Sequence, residues 1–520
     1  MWGKIAKILQ IWSVLGAGAV ASLIFPPFTN AGAGYTALIL FFMFLFGLPH
    51  TKKGLFWWTY LFGFAFYAVG FCWINNALLI DDDEFIAYVP LIILAIGLFF
   101  GLFWAIPALV SGWGKNIYAK MLVFTSVFVF MEWVRSFIFT GFPWNLLGTA
   151  LSHNEALIQG AAYIGTYGLS LMLLLLCMGM VLIIRSAYRR RLDKGGILFI
   201  VVPLIFFIFA APRFEVEKCL MCDEMNDFIV RLVQPSIPQT FKWHPALAHK
   251  NFRQYIDLSK KGEQDGYLPL DSVSLVVWGE TASPYFLDRD AEHLAEIKEA
   301  IPQGGFLATG VLRLSMEKGE IVPYNSLFII NDNAEIKDYY DKAHLVPFGE
   351  YLPFREYWPE FMSPVADIVG NLGRGEQYKN MHVSGLPVMG GAVCYESIFP
   401  KEVLNPREKP EILLVVANDG WYGVSPGPYQ HLAAAQMRAV EEGITVIRSA
   451  NTGISAVISP YGKILGRIGL NEVGIADVSL HHPLAFLTFY GRFGNIIPLV
   501  LVLLVLLLAL RLNVVPNRDS

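Results

Sequence analysis

Among the residues of this chain, Cys394 is the one best suited to covalent chemistry, and it stands in the run Gly391-Ala392-Val393-Cys394-Tyr395-Glu396. A free thiol has a pKa of about 8.5 and is mostly protonated at neutral pH, so an efficient sulfur nucleophile needs a base or a cation beside it. Two upstream runs offer both, Val277-Trp278-Gly279-Glu280-Thr281 and Tyr340-Asp341-Lys342-Ala343-His344. Glu280 can take the thiol proton while Cys394 attacks an ester carbonyl. Lys342, together with a main-chain N–H near the nucleophile, can stabilise the oxyanion that forms. Alone, Cys394 would read as a small buried core residue. Beside a base and a cation it reads as the nucleophile of an acyl transfer that passes through a thioester.

Such residues must be aimed by something rigid. Strand-like runs recur at Phe228–Val233, Leu275–Trp278, Phe306–Leu312, Ser326–Ile330, Val388–Cys394, Ile412–Ala417, Thr445–Ser449 and Ala456–Ile458. Between them Ala246–Lys260, Asp290–Ala300 and Tyr429–Glu442 carry helical spacing of apolar residues. An α/β domain follows, with Glu280, Lys342 and Cys394 each at or just beyond a strand end, where sheets commonly present reactive groups.

The rest of the chain belongs in a membrane. It is 55% hydrophobic and 16% charged, against about 45–50% and about 25% for soluble domains. Apolar runs long enough to cross a bilayer are expected at about 6–25, 33–50, 55–75, 88–111, 120–140, 160–184, 196–212 and 493–511. They predict a membrane domain over 1–212 with seven spans, a soluble domain over 213–490, and an eighth span with its tail over 491–520. The first run also fits a cleaved signal peptide, but further spans follow at once and favour its retention. Lys52, Lys53, Lys115, Lys120, Arg185, Arg189, Arg190, Arg191 and Lys194 fall in alternate loops, while the opposite side carries Asp81-Asp82-Asp83-Glu84. That alternation places both termini in the cytoplasm and the soluble domain outside it. A net charge of −4 without a basic stripe argues against a nucleic-acid partner. Cys72 and Cys177 lie inside predicted spans, and Cys219 with Cys222 forms a lone C-x-x-C, read as a disulfide or an inert pair.

The runs around Glu280, Lys342 and Cys394, in that order, resemble the Glu-Lys-Cys triad of the nitrilase superfamily. So do Arg438-Ala439-Val440-Glu441-Glu442-Gly443 and Arg448-Ser449-Ala450-Asn451-Thr452-Gly453. Combined with the membrane frame, they resemble the apolipoprotein N-acyltransferases of bacterial inner membranes. The likeness extends to Val233-Gln234-Pro235-Ser236-Ile237-Pro238-Gln239, His344-Leu345-Val346-Pro347-Phe348-Gly349-Glu350, Asn418-Asp419-Gly420-Trp421-Tyr422-Gly423 and Gly141-Phe142-Pro143-Trp144. One departure is Gly279, where that family more often has proline.

The resemblance implies an eight-helix transmembrane domain with an inserted nitrilase-like α-β-β-α sandwich facing the periplasm. It implies an acyl donor among the membrane phospholipids and an acceptor that is a diacylglyceryl-modified apolipoprotein. It also implies that Glu350 helps place the lysine or the attacking amine, and that Tyr395 and Glu396 shape the site beside the thiol. Trp243 and Trp421 are expected to wall a pocket for the acyl chain or glycerol, or to pack in the core. A membrane-tethered amidase acting on a small periplasmic amide is the alternative activity. A transporter whose external domain only binds cargo is a rival of another class.

Other features are weighed on mechanism. Gly423-Val424-Ser425-Pro426-Gly427 satisfies G-x-S-x-G, but Pro426 has no N–H to serve as the oxyanion donor after a nucleophilic serine. The ten histidines form no H-E-x-x-H pattern, so neither a metal nor another cofactor is expected. Tyr351–Met362, with Leu352, Phe354, Tyr357, Trp358 and Phe361, reads as a flap dipping into the bilayer beside Lys342 or as a loop packed on the core. On that first reading Trp358 and Phe361 contact lipid. Glu132 and Arg135, near the outer end of the fifth span, read as a structural ion pair or as a headgroup contact.

Overall fold

The computed structural model describes residues 2–28, 31–80, 83–215, 228–353, 371–480 and 487–514. The chain divides into two compact units, Met1–Val216 with Thr488–Ser520, and Glu217–Leu487.

The first unit is helical. Its elements are α1 (Trp2–Ala21), α2 (Ala31–Gly47), α3 (Lys52–Gly70), α4 (Val89–Ser111), α5 (Ile117–Val134), α6 (Glu155–Ile158), α7 (Ala161–Arg189) and α8 (Lys194–Ala210), followed by the late helix Ile496–Val514. Each of the eight predicted apolar runs coincides with one of these helices. Six helices among the described residues are long and apolar enough to cross a membrane, and α2 is a shorter apolar one. Polar side chains start several of them. Thr51, Asn116 and Asp193 accept from Gly54 N at 3.1 Å, Ala119 N at 2.9 Å and Gly196 N at 2.8 Å, capping donors that a helix leaves open. The late helix is tied to the start of α5, because Asn116 Nδ2 donates to Leu512 O and Lys115 N to Asn513 Oδ1.

Inside this unit aromatic rings pack closely, with Phe41 stacked on Phe62 at 3.9 Å between centroids and Trp104 fully buried. Glu132 and Arg135 are both buried, and both reach the segment after α5. Leu147 N donates to Glu132 Oε1 at 2.7 Å, and Arg135 Nη1 donates to Trp144 O at 2.8 Å. The two side chains therefore stitch the 144–147 turn to α5 through main-chain atoms, and among the described residues no ion pair joins them to each other, contrary to the expected pairing.

The second unit holds two six-stranded sheets. One runs β12-β1-β2-β3-β4-β5 and the other β11-β10-β9-β8-β7-β6. In the first sheet the strands are β1 (Phe228–Gln234), β2 (Leu275–Val277), β3 (Phe306–Glu317), β4 (Glu320–Asn331), β5 (Ile336–Asp341) and β12 (Gly474–Leu480). The second is built from β6 (Asn380–Met381), β7 (Met389–Val393), β8 (Ile412–Ala417), β9 (Thr445–Ala450), β10 (Ser455–Ile458) and β11 (Ile464–Ile468). Each sheet has three central parallel strands, β1-β2-β3 and β7-β8-β9, flanked by antiparallel ones.

Buried apolar side chains form three layers of contact. Val230, Leu232, Val277 and Leu327 meet Val393, Leu414, Val416 and Ile447 between the sheets. Phe252, Ile256 and Ile297, from helices Ala248–Ser259 and Ala291–Ile297, cover the outer face of the first sheet. Leu432, Ala435 and Ala439, from helix Gly427–Glu442, cover the second. Central strands buried on both faces read as near-continuous apolar runs, and Ile412–Ala417 is one. Four strands went unrecognised in the sequence, β5, β6, β11 and β12. They are only partly buried, as in Ile336–Asp341, or very short, as in Asn380–Met381, so no apolar run marks them.

Candidate active site

The site is built at the carboxyl ends of the parallel strands, where open α/β sheets bind ligands. Cys394 follows the last residue of β7 and opens a short 3₁₀ turn, Cys394–Ile398. Its φ is +52°, a left-handed conformation uncommon for a side chain with a Cβ. Glu280 lies three residues past β2, and the next residue, Thr281, is also left-handed at φ +45°. A close approach holds this turn in place. A Cβ on Gly310 would lie 2.6 Å from Glu280 Cα, so the β3 backbone can run beside the base only as glycine. Lys342 begins the loop after β5, and Lys342 N donates to Asn325 O at 2.8 Å.

Glu280, Lys342 and Cys394 are all buried and act on one another electrostatically. Glu280 Oε1 accepts from Asn325 Nδ2 at 2.8 Å and lies 3.9 Å from Lys342 Nζ. Lys342 Nζ donates to Glu350 Oε1 at 2.8 Å, and Val346 N donates to Glu350 Oε2, also at 2.8 Å. Burial works against the ammonium of Lys342, but Glu350 and Glu280 outweigh it and hold the group well above its ordinary value. Lys342 is therefore a fixed cation.

The thiol behaves in the opposite way. Burial first and the Glu280 carboxylate second push Cys394 well above the ordinary thiol range, with Lys342 pulling it back only in part. The resting sulfur is protonated, and a neighbouring base must take the proton when it attacks. The main-chain N–H of Asn418 also points its dipole at the sulfur and favours negative charge there.

Glu396 is the tie between the nucleophile and the lysine loop. Its Oε1 accepts from Tyr340 Oη at 2.9 Å and from the main-chain N–H groups of Ala343 and His344 at 2.8 Å each. Its Oε2 accepts from Val393 N at 2.7 Å. Burial raises its pKa, opposed by these donors. With four donors and, among the described residues, no acceptor facing it, the carboxylate is the form that the surroundings satisfy. Tyr395 is buried against His344 and Phe399, at ring separations of 5.7 and 5.1 Å.

Beneath Cys394 lies a polar network that sequence reasoning missed. His431, from the helix Gly427–Glu442, meets Cys394 O through Nε2 at 2.9 Å and Asp419 Oδ1 through Nδ1 at 2.7 Å. Arg448 Nη2 donates to Asp419 Oδ2 at 2.6 Å. Burial keeps His431 below its ordinary value, with Arg448 acting in the same direction. Burial works against Asp419, but Arg448 and His431 prevail and hold it below the usual carboxylate range. The network grips the main chain of the strained cysteine. Cys394, Asp419 and His431 bring possible ligand atoms within 4.8 Å of one another. Both imidazole nitrogens and both Asp419 oxygens are already engaged in hydrogen bonds, so this is a positioning network rather than a metal centre. A second such group, His249, His293 and Glu296, lies nearer the surface, with His293 bonded to Asp290 and Glu296 paired to Arg253.

Lys242, Asn325, Asn418 and Tyr422 also border the triad unforeseen. Asn418, Asp419, Tyr422 and Arg448 stand within runs singled out for resemblance, and Lys242 adjoins Trp243. Nothing in the sequence marked Asn325 or His431, since each acts across a distance only folding closes. Trp243 and Trp421 keep 46% and 39% of their surfaces exposed, so neither is a core residue. Trp358 and Phe361, most of the expected flap, and the pair Cys219 and Cys222 lie outside the described residues. Ser425 of the G-x-S-x-G run accepts from Gly427 N at 3.1 Å and serves the start of a helix.

Known proteins are similar to this chain. The carbon-nitrogen hydrolase family matches residues 230–482, and the apolipoprotein N-acyltransferase N-terminal domain matches residues 17–179. The apolipoprotein N-acyltransferase of Brucella suis biovar 1 (strain 1330) is 35% identical over 511 residues, covering 95% of this chain and 93% of its own. That of Rhodopseudomonas palustris is 34% identical over 460 residues, covering 87% and 84%. Among solved structures, Saccharomyces cerevisiae Nit3 of the nitrilase superfamily is similar over 50% of this chain and 91% of its own, at 19% identity and a TM-score of 0.37.

Proposed function

The chain belongs to the apolipoprotein N-acyltransferase family, and on that premise we propose how its residues carry out the reaction. It is an acyltransferase that N-acylates apolipoproteins in a membrane. The donor is a membrane phospholipid, and the acyl chain is held as a thioester on Cys394. The acceptor is the α-amine of a diacylglyceryl-modified N-terminal cysteine. The enzyme sits in the bacterial inner membrane with eight spans. Residues 213–490 are inserted between the seventh and eighth and face the periplasm, a placement supported by the alternation of Lys and Arg among the loops.

One observation carries the mechanism. A protonated, buried thiol faces a carboxylate whose own neighbour is a fixed ammonium. Glu280 takes the thiol proton as sulfur adds to the ester carbonyl. Lys342 and the Asn418 N–H offset the charge of the oxyanion, and the intermediate collapses to thioester and lysophospholipid. The amine then attacks the thioester, which is more activated than the amide it yields. Glu350 serves by holding Lys342, Glu396 by joining the lysine loop to the cysteine turn, and Tyr395 by packing beside that turn. Trp243 and Trp421 are assigned to the substrate, an assignment their part-exposed surfaces allow, and Trp358 and Phe361 are assigned to lipid. The match over residues 17–179 supports this reading over that of a small-amide amidase.

Intact mass spectrometry of the full-length protein with phospholipid, but without acceptor, tests the reading. An acyl adduct on Cys394 with release of lysophospholipid is expected. Lysophospholipid release that strictly requires the acceptor, with no adduct on Cys394, means direct transfer and overturns it.

A further inference from the structure

Lys242 is a second buried ammonium in the site, and among the described residues no carboxylate pairs with it. It ends the short helix Gln239–Lys242, is 5% exposed, and donates from Nζ to the main-chain oxygen of Glu280 at 2.9 Å. That is its one hydrogen bond among the described residues, although an ammonium carries three N–H donors. Lys342, by contrast, is bound to the Glu350 side chain. Lys242 also interacts electrostatically with both Glu280 and Cys394, so its ammonium lies close to the base and to the nucleophile.

The first half-reaction leaves one task unassigned. Glu280 acquires the thiol proton while its Oε1 is held by Asn325, and the departing group is a glycerol alkoxide, which leaves poorly unless it gains a proton. Resting on the acyltransferase reading above, we propose that Lys242 is the general acid that protonates the departing glycerol oxygen and is recharged by the ammonium of the incoming acceptor.

The protons balance. As the C–S bond forms, the thiol proton passes to Glu280. As the C–O bond breaks, one Nζ proton passes to the oxygen, leaving a neutral Lys242 amine and a protonated Glu280. The acceptor ammonium gives one proton to Lys242 and becomes nucleophilic. When it displaces sulfur, its second proton restores the Cys394 thiol, and its third stays in the amide. Glu280 returns its proton to water. Burial lowers Lys242 to about 8, against the pull of Glu280 and Cys394. This value lies beside the roughly 7.7–8.0 of an α-amine, so exchange between the two costs little.

The test compares two acyl donors on the full-length enzyme in mixed micelles, a phospholipid and the p-nitrophenyl ester of the same fatty acid. The nitrophenolate departs without needing a proton. Formation of the Cys394 adduct in a single turnover is followed by mass. Lys242→Met is expected to slow the phospholipid reaction by about 10²–10⁴, and the p-nitrophenyl ester by less than about fivefold. Lys242→Arg can keep a hydrogen bond to the Glu280 carbonyl but cannot release its proton, so it should show the same split. In the wild type the phospholipid rate should fall as pH rises through about 8, with the nitrophenyl ester lacking that limb. Equal losses on both donors would mean that Lys242 only holds the Glu280 turn, and unchanged rates would leave it no role. Either result overturns the proposal. The wild-type pH profile decides even where the methionine variant does not fold. A wild type that forms no adduct with either donor would instead overturn the acyltransferase mechanism itself.

Discussion

Glu396→Gln separates the positioning of the nucleophile from its chemistry. The carboxylate receives three main-chain N–H groups and one phenol, at 2.7–2.9 Å. Hydrogen bonds to a charged group contribute about 1.5–3 kcal/mol each, roughly twice the neutral figure. Glutamine can present one oxygen to Tyr340, Ala343 and His344, keeping three bonds at neutral strength and losing about 1 kcal/mol on each. Its NH₂ then faces Val393 N–H, donor against donor, which costs a further 1–3 kcal/mol or so. Relief of a buried charge, the effect that raises the Glu396 pKa, returns part of the sum. A net cost of about 2–4 kcal/mol remains. It falls on the link between the Lys342 loop and the Cys394 turn, so a comparable part should appear as lost transition-state alignment. At about 1.4 kcal/mol per factor of ten, thioester formation should slow by roughly 30- to 10³-fold. The rate of adduct formation on Cys394 measures this, and hydrogen exchange at Ala343, His344 and Val393 reports the loosened tie. A Gln variant with wild-type adduct rate and unchanged protection at those amides would refute the reasoning.

Further expectations follow from single contacts. Glu280→Gln can keep its bond from Asn325 while losing the base, so adduct formation should fall by about 10²–10⁴ with folding intact; an unchanged rate would remove Glu280 from proton transfer. Asp419 is held below its unfolded value, so its stabilisation is fully present above about 3.8 and is lost as pH falls through its lower folded value. The unfolding temperature of Asp419→Asn should therefore lie below that of the wild type by a constant margin above pH 4, narrowing in more acidic solution; a margin that grows with acid would contradict the assignment. Reporter fusions should place the Arg185–Lys194 loop in the cytoplasm and residue 300 outside, and the opposite labelling at either point defeats the topology.

What could be read from the sequence, and what could not, follows from how far each signal reaches. Strands such as Ile412–Ala417 are buried on both faces, and their apolar runs announce them. Edge strands carry no such run, because only one of the six β5 residues is fully buried and β6 spans two residues. Glu280 and Cys394 could be picked out because each stands just beyond a recognisable strand within a distinctive run, whereas Lys342 follows the unmarked β5 and could be read through its run alone. Their supports could not. Asn325 reaches Glu280 across 45 residues, Tyr340 reaches Glu396 across 56, and His431 reaches Cys394 O across 37, and no local pattern encodes a pairing over that distance.

The division has a chemical meaning. Glu280, Lys342 and Cys394 hang from separate strand ends on two different sheets, so no one element sets their mutual geometry. Sheet stacking alone places strands through nonspecific apolar contacts, which tolerate small shifts that acyl transfer does not. The polar ties remove that freedom in two directions. Glu396 draws the β5 loop onto the end of β7, and the Asp419–His431–Arg448 group fixes the main chain of Cys394 from below. Asn325 spans the remaining gap by bonding both Glu280 and Glu350, at 2.8 and 3.2 Å. The base and the anchor of the cation thus share one amide, so a displacement of either carboxylate is felt by the other.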